Sequence, residues 1–408
     1  MNILIEFLSA NGRYGAGEYH RKVVKTLLSR IAHNKCAQVK LYALYDSRVP
    51  ISFEDMRIEI LENHGIAKYI DIYNCNLLDI IKIYNIDKFF IACSQRIGIY
   101  PEISKVNCEV ICVTHDLLFE EWFTNNMYNY WANSNITYGH SPKNDIKICI
   151  WKVLQQLSII KNILLKKNIT LPGYKELSIM KPVIEMLKNN MNSKNIMVSE
   201  YSKATMVYNF GINPNKIQVL YSPERINVER QPVENTILKR VVGQKLKYFL
   251  MVSADRDSKN AIKAIRAFYQ YSKKDKDMYF LIIGYPKDVK GRIIKLDFLS
   301  DSDLSVAMEN CYALLYPSYF EGFGYPPLEA MKYGRPVLCS NSTSMPEILG
   351  DAPIYFSPLY ESAIFKAMCD LSLDNYESRV MKSIVQYKKV SQRQNKDFDK
   401  LIDLILEN

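Results

Sequence analysis

The sequence predicts an α/β fold with two doubly wound domains that face each other across a cleft. Three observations support this prediction. The chain has 408 residues, which is long for one hydrophobic core and suits two domains of about 200 residues each. Short apolar runs alternate with helical patterns along much of the chain. Glycine and proline follow several of these runs, at the carboxyl ends of strands where doubly wound sheets bind ligands.

The first domain begins with a predicted strand, loop and helix. Residues 2–8 form a short apolar run, and a glycine-bearing turn follows it. After that turn Val23, Val24, Leu27 and Leu28 recur at helical spacing. The further strands predicted in this domain are KLYALY, KFFIACS, EVICVTHD and NIMVSE. Helical patterns between such runs are the crossover connections that a parallel sheet requires.

A second series of strands is predicted in the C-terminal half, at KYFLMVSAD, MYFLIIG, CYALLYPS, RPVLCS and APIYFS. The segment before this series, near residues 228–245, is polar, charged and weakly periodic. We therefore predict an N-terminal domain at 1–232, a linker at 233–245 and a C-terminal domain at 246–385. Residues 386–408 contain the amphipathic stretch NKDFDKLIDLILEN, a C-terminal helix that can pack back on the first domain.

Composition indicates the cellular compartment of the protein and the charge of its partners. The nine cysteines include no CxxC pair and are odd in number, which favours a reducing cytoplasm over a disulfide framework. The first residues lack the features of a signal peptide, and no apolar run reaches the roughly 18 residues of a membrane span. A net charge of +10 favours anionic partners such as nucleotide phosphates, nucleic acid or anionic lipid.

The most informative stretch follows the run CYALLYPS and reads YFEGFGYPPLEAMKYG. It predicts a glycine-rich loop and a short helix that starts at the two prolines and ends near Gly334. Gly322 and Gly324 let the backbone approach a phosphate, which loop N–H groups and the positive helix end can bind. Glu329 lies in the first turn, where a carboxylate is favoured and can accept hydrogen bonds from a ribose diol. Glu321 precedes the glycines and is expected to point into the same cleft.

Residues 317–358 resemble the nucleotide-binding signature of retaining glycosyltransferases of family 4, the glycosyl transferases group 1, in which two glutamates stand eight positions apart. The resemblance is nearly continuous from about residue 196 to 358. Before that it is limited to NGRYGAGEY and VICVTHDL, and residues 121–190 match nothing in the family. It implies the GT-B architecture, in which one Rossmann-like domain holds the acceptor and a second binds the nucleotide-sugar donor.

The resemblance also implies roles for individual residues of the C-terminal domain. Arg256 and Lys259, in the stretch ADRDSKN, match a basic pair at the donor diphosphate. Such a pair would neutralise the leaving group in place of a metal ion. Glu321 would contact the donor sugar and Glu329 the ribose. The backbone that would hold phosphate belongs to Gly322, Phe323 and Gly324.

In the first domain the implied site residues are fewer. Gly12, Gly15 and Gly17 would form a loop beside the donor phosphates and sugar, although glycines after a first strand also serve tight turns. His115, in VTHDL, matches a histidine that interacts with the donor sugar near the reacting carbon. The alternative is a structural histidine whose hydrogen bonds are satisfied inside the protein. We expect His20, on the first helix, to be structural.

Two acidic triplets imitate the Asp-x-Asp metal site of the other large glycosyltransferase fold. They are residues 255–257 and 301–303. Arg256 would place a cation where that metal belongs, and three-residue matches are common by chance. We therefore expect no metal site, and no cofactor besides the nucleotide-sugar substrate.

Residues 146–167 form an apolar pattern surrounded by lysines. Such a helix could lie on an anionic membrane, where a lipid-linked acceptor would be found. A core-facing helix with solvated lysines explains the same pattern. We expect a cytoplasmic protein, with peripheral contact to the inner face of the membrane if the first explanation holds.

The resemblance thus implies a retaining, metal-independent hexosyltransferase that uses a nucleoside diphosphate sugar. Its acceptor would be a hydroxyl of a glycan or lipid-linked glycan, as in surface polysaccharide biosynthesis. One alternative is a sugar-nucleotide epimerase of similar fold. Another is a non-catalytic nucleic-acid-binding protein, which is suggested only by the net charge and would need a clustered basic face.

Overall fold

Two parallel sheets organise the chain in the computed structural model, which describes residues 1–7, 15–33, 39–48, 66–73, 75–94, 100, 102–117, 180–225 and 231–407. The strands of the first sheet are β1 (Asn2–Glu6), β2 (Lys40–Tyr45), β3 (Ile66–Asp71), β4 (Lys88–Ile91), β5 (Glu109–Thr114), β6 (Ser193–Met197) and β7 (Ile217–Val219). Their order is β3-β2-β1-β4-β5-β6-β7. Of residues 121–190, which match nothing in the family, residues 121–179 lie outside the described residues, and these include the amphipathic segment 146–167.

The second sheet has the same kind of topology. Its strands are β8 (Lys247–Met251), β9 (Met278–Ile283), β10 (Ile293–Leu296), β11 (Ala313–Tyr316), β12 (Val337–Ser340) and β13 (Ile354–Phe356). Their order is β10-β9-β8-β11-β12-β13, and every pair is parallel. In both sheets the strand order reverses beside the first strand, which creates a crevice at the carboxyl ends. The predicted α/β class with two doubly wound domains is confirmed.

Helices cover the faces of both sheets. In the first domain they are α1 (Gly15–His33), α2 (Leu77–Ile83), α3 (Lys181–Asn189) and α4 (Glu200–Phe210). After it come α5 (Thr236–Gly243), α6 (Ala261–Tyr271), α7 (Asp301–Asn310), α8 (Tyr325–Lys332), α9 (Met345–Leu349), α10 (Glu361–Asp370) and α11 (Leu373–Leu406). None of the described helices is long and apolar enough to cross a membrane.

The central strands are buried on both faces, which is why they are apolar throughout rather than alternating. Ile3, Leu4 and Ile5 of β1 are fully buried, as are Phe249 and Leu250 of β8. One hydrophobic cluster runs from the first sheet through α11 into the second sheet. The two domains therefore share a continuous apolar contact.

Within the predicted linker at 233–245, residues 236–243 form the helix α5. Asn235 caps this helix by accepting a hydrogen bond from the Leu238 N–H. Leu238 and Val241 are fully buried, and α5 packs against α7 of the second domain. A helix this short has only two core-facing positions, so its periodicity is hard to detect in sequence.

The C-terminal helix α11 starts at Leu373, earlier than the predicted residue 386, and it reaches the first domain. Arg30 of α1 binds Asp399 and Asp403 of this helix, at 2.6 and 3.1 Å. The Asp397 carboxylate accepts a hydrogen bond from the Tyr221 N–H, at 3.0 Å. The helix therefore ties the two domains together.

A buried lysine holds the end of this helix. The Lys88 ammonium, at the start of β4, donates to the carbonyls of Leu404 and Glu407 and lies 3.3 Å from a Glu109 carboxylate oxygen. The Lys88 side chain is 8% exposed. Lys88 thus satisfies carbonyls that have no partner within the helix.

We expect Lys88→Met to lower the free energy of unfolding by about 3 kcal/mol, because it leaves buried acceptors without their donor. Urea unfolding of the purified protein measures this change. The matched control is Lys82→Met, which alters an exposed lysine of α2 and should change the value by less than about 0.5 kcal/mol. Equal effects of the two substitutions would contradict the role given to Lys88.

Candidate active site

The loop after β8 carries the two predicted basic site residues. Residues Asp257–Lys259 form a 3-10 turn, and Asn260 adopts a left-handed conformation with φ of 63° before α6 begins. The Asn260 side-chain amide donates to the carbonyls of Pro317 and Pro358, at 3.2 and 2.9 Å. These bonds tie the loop after β8 to the segments that follow β11 and β13, and so place Lys259 beside the glutamate loop.

Lys259 and Glu321 form a buried ion pair at the carboxyl ends of β8 and β11. Their side chains are 5% and 13% exposed. The Lys259 ammonium also donates to the Tyr316 hydroxyl, at 2.8 Å. Glu321 Oε1 accepts further hydrogen bonds from Tyr316, at 2.8 Å, and from Ser318, at 2.6 Å. One carboxylate oxygen therefore receives three donors, which fixes the side chain.

The pair keeps hydrogen-bonding capacity for a ligand. Among the described residues, no donor contacts Glu321 Oε2. An ammonium has three N–H groups, and Lys259 uses two of them on Glu321 and Tyr316. The site thus offers one oriented acceptor and one oriented cationic donor.

Mutual attraction keeps the pair ionised. Burial alone would raise the pKa of Glu321, but the Lys259 ammonium, the Ser318 hydroxyl and the Arg256 guanidinium hold it below its usual range. Burial lowers the pKa of Lys259, an effect that Glu321 opposes and Arg256 reinforces. Two cations close together in a buried site are the arrangement expected where an anion binds.

The loop that follows Glu321 presents backbone donors. Gly322, Phe323 and Gly324 are buried, and their N–H groups donate no hydrogen bond within the part of the chain that the structure describes. Gly324 has φ of 89°, which turns the chain into the start of α8. The Phe323 side chain packs between Tyr221 and Tyr325, so only its backbone remains for the predicted phosphate contact.

Gly322 brings the two domains into contact. A Cβ at this position would lie 1.7 Å from the His115 carbonyl oxygen and 2.9 Å from the Asp116 Cβ. Only glycine fits there. The loop after β11 therefore touches the end of β5, and the predicted histidine lies beside the predicted glutamate loop across the domain boundary.

The tautomer of His115 follows from its hydrogen bond. Its Nε2 lies 2.8 Å from the Ala92 carbonyl, which can only accept, so Nε2 carries the proton and Nδ1 a lone pair. The Tyr19 ring packs edge-on against the imidazole, at 4.9 Å. Burial lowers the pKa of His115 to about 4, although the bond to Ala92 opposes this shift. His115 is therefore neutral at pH 7 and offers Nδ1 as an acceptor.

Glu329, the predicted ribose ligand, lines a cavity of about 330 Å³ between α1, α7, α8 and α11. Arg225 crosses this region: its Nη1 lies 3.0 Å from Glu329, and its Nε and Nη2 bind both oxygens of Glu18. Burial raises the pKa of Glu329, with Arg225 acting in the opposite direction. Sequence reasoning identified neither Arg225 nor Glu18, since no motif surrounds Arg225 and a first-turn glutamate is common in helices.

The predicted glycines of the first domain lie at the start of α1. Gly15 faces the Tyr325 ring, which a Cβ on Gly15 would approach to 3.3 Å, and Gly17 is buried in the same turn. Gly12 lies outside the described residues. The start of α1 therefore adjoins the start of α8, beside the cavity that Glu329 lines.

Residues 234–381 match the family described as glycosyl transferases group 1. The match covers most of the C-terminal domain. It contains Arg256, Lys259, Glu321 and Glu329, which the sequence assigned to the donor, whereas His115 lies outside the match.

Two relatives of the chain are named as O-antigen chain mannosyltransferases. O-antigen chain mannosyltransferase B of Escherichia coli is 33% identical over 125 residues, which make up 27% of this chain and 33% of that protein. O-antigen chain mannosyltransferase RfbU of Salmonella typhimurium is 28% identical over 182 residues, 40% of this chain and 47% of that protein. The match thus spans less than half the length of either relative.

A solved structure matches the whole chain. HepE from Anabaena, in complex with UDP-glucose, has a TM-score of 0.60 at 14% identity, covering 100% of this chain and 98% of HepE. At this identity the likeness shows the fold. The fold is GT-B, as the resemblance implied.

The acidic triplet 301–303 lies at the start of α7. Asp303 is 2% exposed and accepts hydrogen bonds from the N–H groups of Glu234 and Asn235, at 3.1 and 2.9 Å. Asp301 lines the cavity near Glu329. Within the described ranges, no group of three or more His, Cys, Asp or Glu residues has the arrangement of a metal site.

His20 lies in the core of the first domain. It is fully buried beside the Phe7 ring, at 5.4 Å, and within the described residues neither imidazole nitrogen has a hydrogen-bond partner. Burial, with a smaller contribution from Arg21, lowers the pKa of His20 to about 3. His20 is therefore neutral at pH 7, in agreement with a structural role.

This burial gives a pH dependence of stability. The unfolded chain binds a proton at His20 below about pH 6.5, whereas the folded chain does so only near pH 3, so stability falls as the pH drops between these values. We expect His20→Leu to raise the free energy of unfolding at pH 5 by about 2 kcal/mol more than at pH 8. Urea unfolding at both pH values tests this. An equal effect at pH 5 and pH 8 would show that the pKa of His20 is not lowered.

Proposed function

We propose that this protein is a retaining glycosyltransferase that transfers a sugar from a nucleoside diphosphate sugar to a hydroxyl of a glycan or lipid-linked glycan. The observation that carries the proposal is the buried Lys259–Glu321 pair at the carboxyl ends of β8 and β11 in a group 1 domain. The O-antigen mannosyltransferases among its relatives support surface polysaccharide biosynthesis, with mannose as the first sugar to test.

The reaction mainly requires that the negative charge developing on the departing diphosphate be neutralised. The unused N–H of Lys259 and the Arg256 guanidinium supply positive charge on one side of the glutamate loop. The N–H groups of Gly322, Phe323 and Gly324 supply a backbone cradle for phosphate oxygens. Because these groups are fixed before the donor binds, they can stabilise the leaving group without a metal ion.

Hydrogen-bond acceptors in the site can bind hydroxyls of the donor sugar and of the ribose. Glu321 Oε2 and His115 Nδ1 are oriented acceptors on opposite sides of the contact at Gly322, and both can bind hydroxyls of the donor sugar. Glu329 in the cavity can accept a ribose hydroxyl. The first domain then holds the acceptor, at the cytoplasmic side of a membrane if that acceptor is lipid-linked.

A donor panel tests the proposal. Purified protein is incubated with UDP-, GDP- and ADP-sugars, including GDP-mannose, and release of the nucleoside diphosphate is measured with and without a glycan acceptor. We expect release with one nucleotide only, and a product with the anomeric configuration of the donor. Epimerisation of the free donor would overturn the proposal. So would a rise in the thermal unfolding temperature of the protein with oligonucleotides but not with nucleoside diphosphates.

The metal-free mechanism makes a separate prediction. Because side chains and backbone N–H groups neutralise the diphosphate, we expect activity in EDTA to equal activity without it. The measurement is the initial rate after dialysis against EDTA, with Mg²⁺ or Mn²⁺ added back to a second sample. Activity that is lost in EDTA and restored by either ion would refute the role of Arg256 and Lys259 as the metal's replacement.

A further inference from the structure

One arginine joins carboxylates of the two domains at the cavity. Arg225 follows β7, and its guanidinium binds Glu18 of α1 through Nε and Nη2 and Glu329 of α8 through Nη1. The Nη2 to Glu18 distance is 2.6 Å and the Nη1 to Glu329 distance is 3.0 Å. The three side chains are between 16% and 26% exposed, so water screens these ion pairs only partly.

The segment around Arg225 is held from both sides. The Tyr325 hydroxyl of α8 donates to the Pro223 carbonyl, at 3.0 Å. The Lys22 ammonium of α1 donates to the Glu224 carbonyl, at 2.6 Å. Residues 223–225 therefore form a bridge between the first helix and the helix that carries Glu329, and the guanidinium is fixed at both of its edges.

Arg225 binds the carboxylates of Glu18 and Glu329 differently. It binds both oxygens of Glu18 but only Oε1 of Glu329. In the described part of the chain no donor contacts Glu329 Oε2. Arg225 thus fixes the plane of the Glu329 carboxylate and leaves one oxygen for a ligand in the cavity.

We propose that Arg225 is a positioning residue that aligns Glu329 for a ribose hydroxyl and makes ribose binding depend on the place of the first domain. The inference rests on the proposed function, which assigns ribose to Glu329. Since Glu18 lies on α1, movement of that helix away from α8 pulls on Arg225 and releases Glu329. A planar guanidinium binds two carboxylates at its two edges and fixes their planes, whereas a lysine ammonium is a point charge that does not orient them.

The test compares ligands with and without ribose hydroxyls. Dissociation constants are measured by calorimetry for the tightest binder among UDP, GDP and ADP, and for its 2′,3′-dideoxy form. We expect Arg225→Lys to weaken the ribonucleotide about 10-fold and to leave the dideoxy form nearly unchanged. The matched control is Arg30→Lys, because Arg30 also joins α1 to two carboxylates, Asp399 and Asp403, but does not line the cavity. It should change neither constant.

A second variant keeps Arg225 itself. Glu18→Gln removes the anchor on the first domain and should weaken the ribonucleotide selectively, by less than Arg225→Lys does. If Arg225→Lys does not fold, as judged by thermal unfolding, Glu18→Gln decides by the same comparison. Equal weakening of both ligands, or none, overturns this inference and leaves the proposed function intact. Failure of all three nucleotides to bind the unaltered protein overturns the proposed function and the inference with it.

Discussion

Replacing either Arg256 or Lys259 with methionine is expected to lower kcat by about 10² to 10³, or roughly 2.7 to 4 kcal/mol of transition-state stabilisation. Both cations lie at the buried Glu321 site, and negative charge accumulates on the diphosphate as the anomeric bond breaks. They therefore stabilise the transition state more than the bound donor. The double replacement should cost less than the sum of the single effects, because both residues serve one diphosphate.

Steady-state kinetics with varied donor concentration measures these effects, and thermal unfolding confirms that each variant is folded. Arg266→Met is the matched control, because Arg266 belongs to α6 and pairs with Glu361 at the surface. It should leave kcat unchanged. Glu329→Ala should chiefly raise the donor KM, because ribose lies far from the breaking bond. A fall in kcat for Glu329→Ala, with only KM altered for Arg256→Met, would reverse these assignments.

The interior strands could be predicted from sequence because strands that are buried on both faces are apolar at successive positions. The strands that escaped prediction are β3, β7 and β10, and each lies at an edge of its sheet. An edge strand has one neighbour and partial solvent contact, so polar residues interrupt its pattern, as Lys68 and Asp71 do in β3. Neighbouring strands and helices supply the remaining information for such elements, and that information is not local in sequence.

Residues of the candidate site could be predicted from the sequence where they belong to a local motif. Glu321 and Glu329 lie eight positions apart around a glycine loop, and that local pattern fixes both. Tyr316 has no such signal: it belongs to an apolar strand and resembles a core tyrosine until its hydroxyl is seen between Lys259 and Glu321. Arg225 is recognisable only when α1 and α8 are brought together, since its partners come from different domains.

Gly322→Ala is expected to lower kcat by about 10², because its Cβ would lie 1.7 Å from the His115 carbonyl oxygen. That overlap involves backbone atoms, so rotation of a side chain cannot relieve it. The two loops must separate, which moves Glu321 away from His115 and spoils the alignment of the groups around the donor sugar. Overpacking of this kind should also lower the free energy of unfolding, by about 1 to 3 kcal/mol.

The control for this prediction is the same substitution at Gly243, the last residue of α5, where a Cβ would meet no atom within 4 Å. Alanine suits a helix better than glycine, so Gly243→Ala should stabilise the protein by about 0.5 to 1 kcal/mol and leave kcat unchanged. Both variants are measured with saturating donor and acceptor, and by urea unfolding. If Gly322→Ala retained full kcat, the contact between the loops after β11 and β5 would not belong to the catalytically active arrangement. A fall in kcat confined to Gly322→Ala would instead show that the reaction requires the two domains to meet at this glycine.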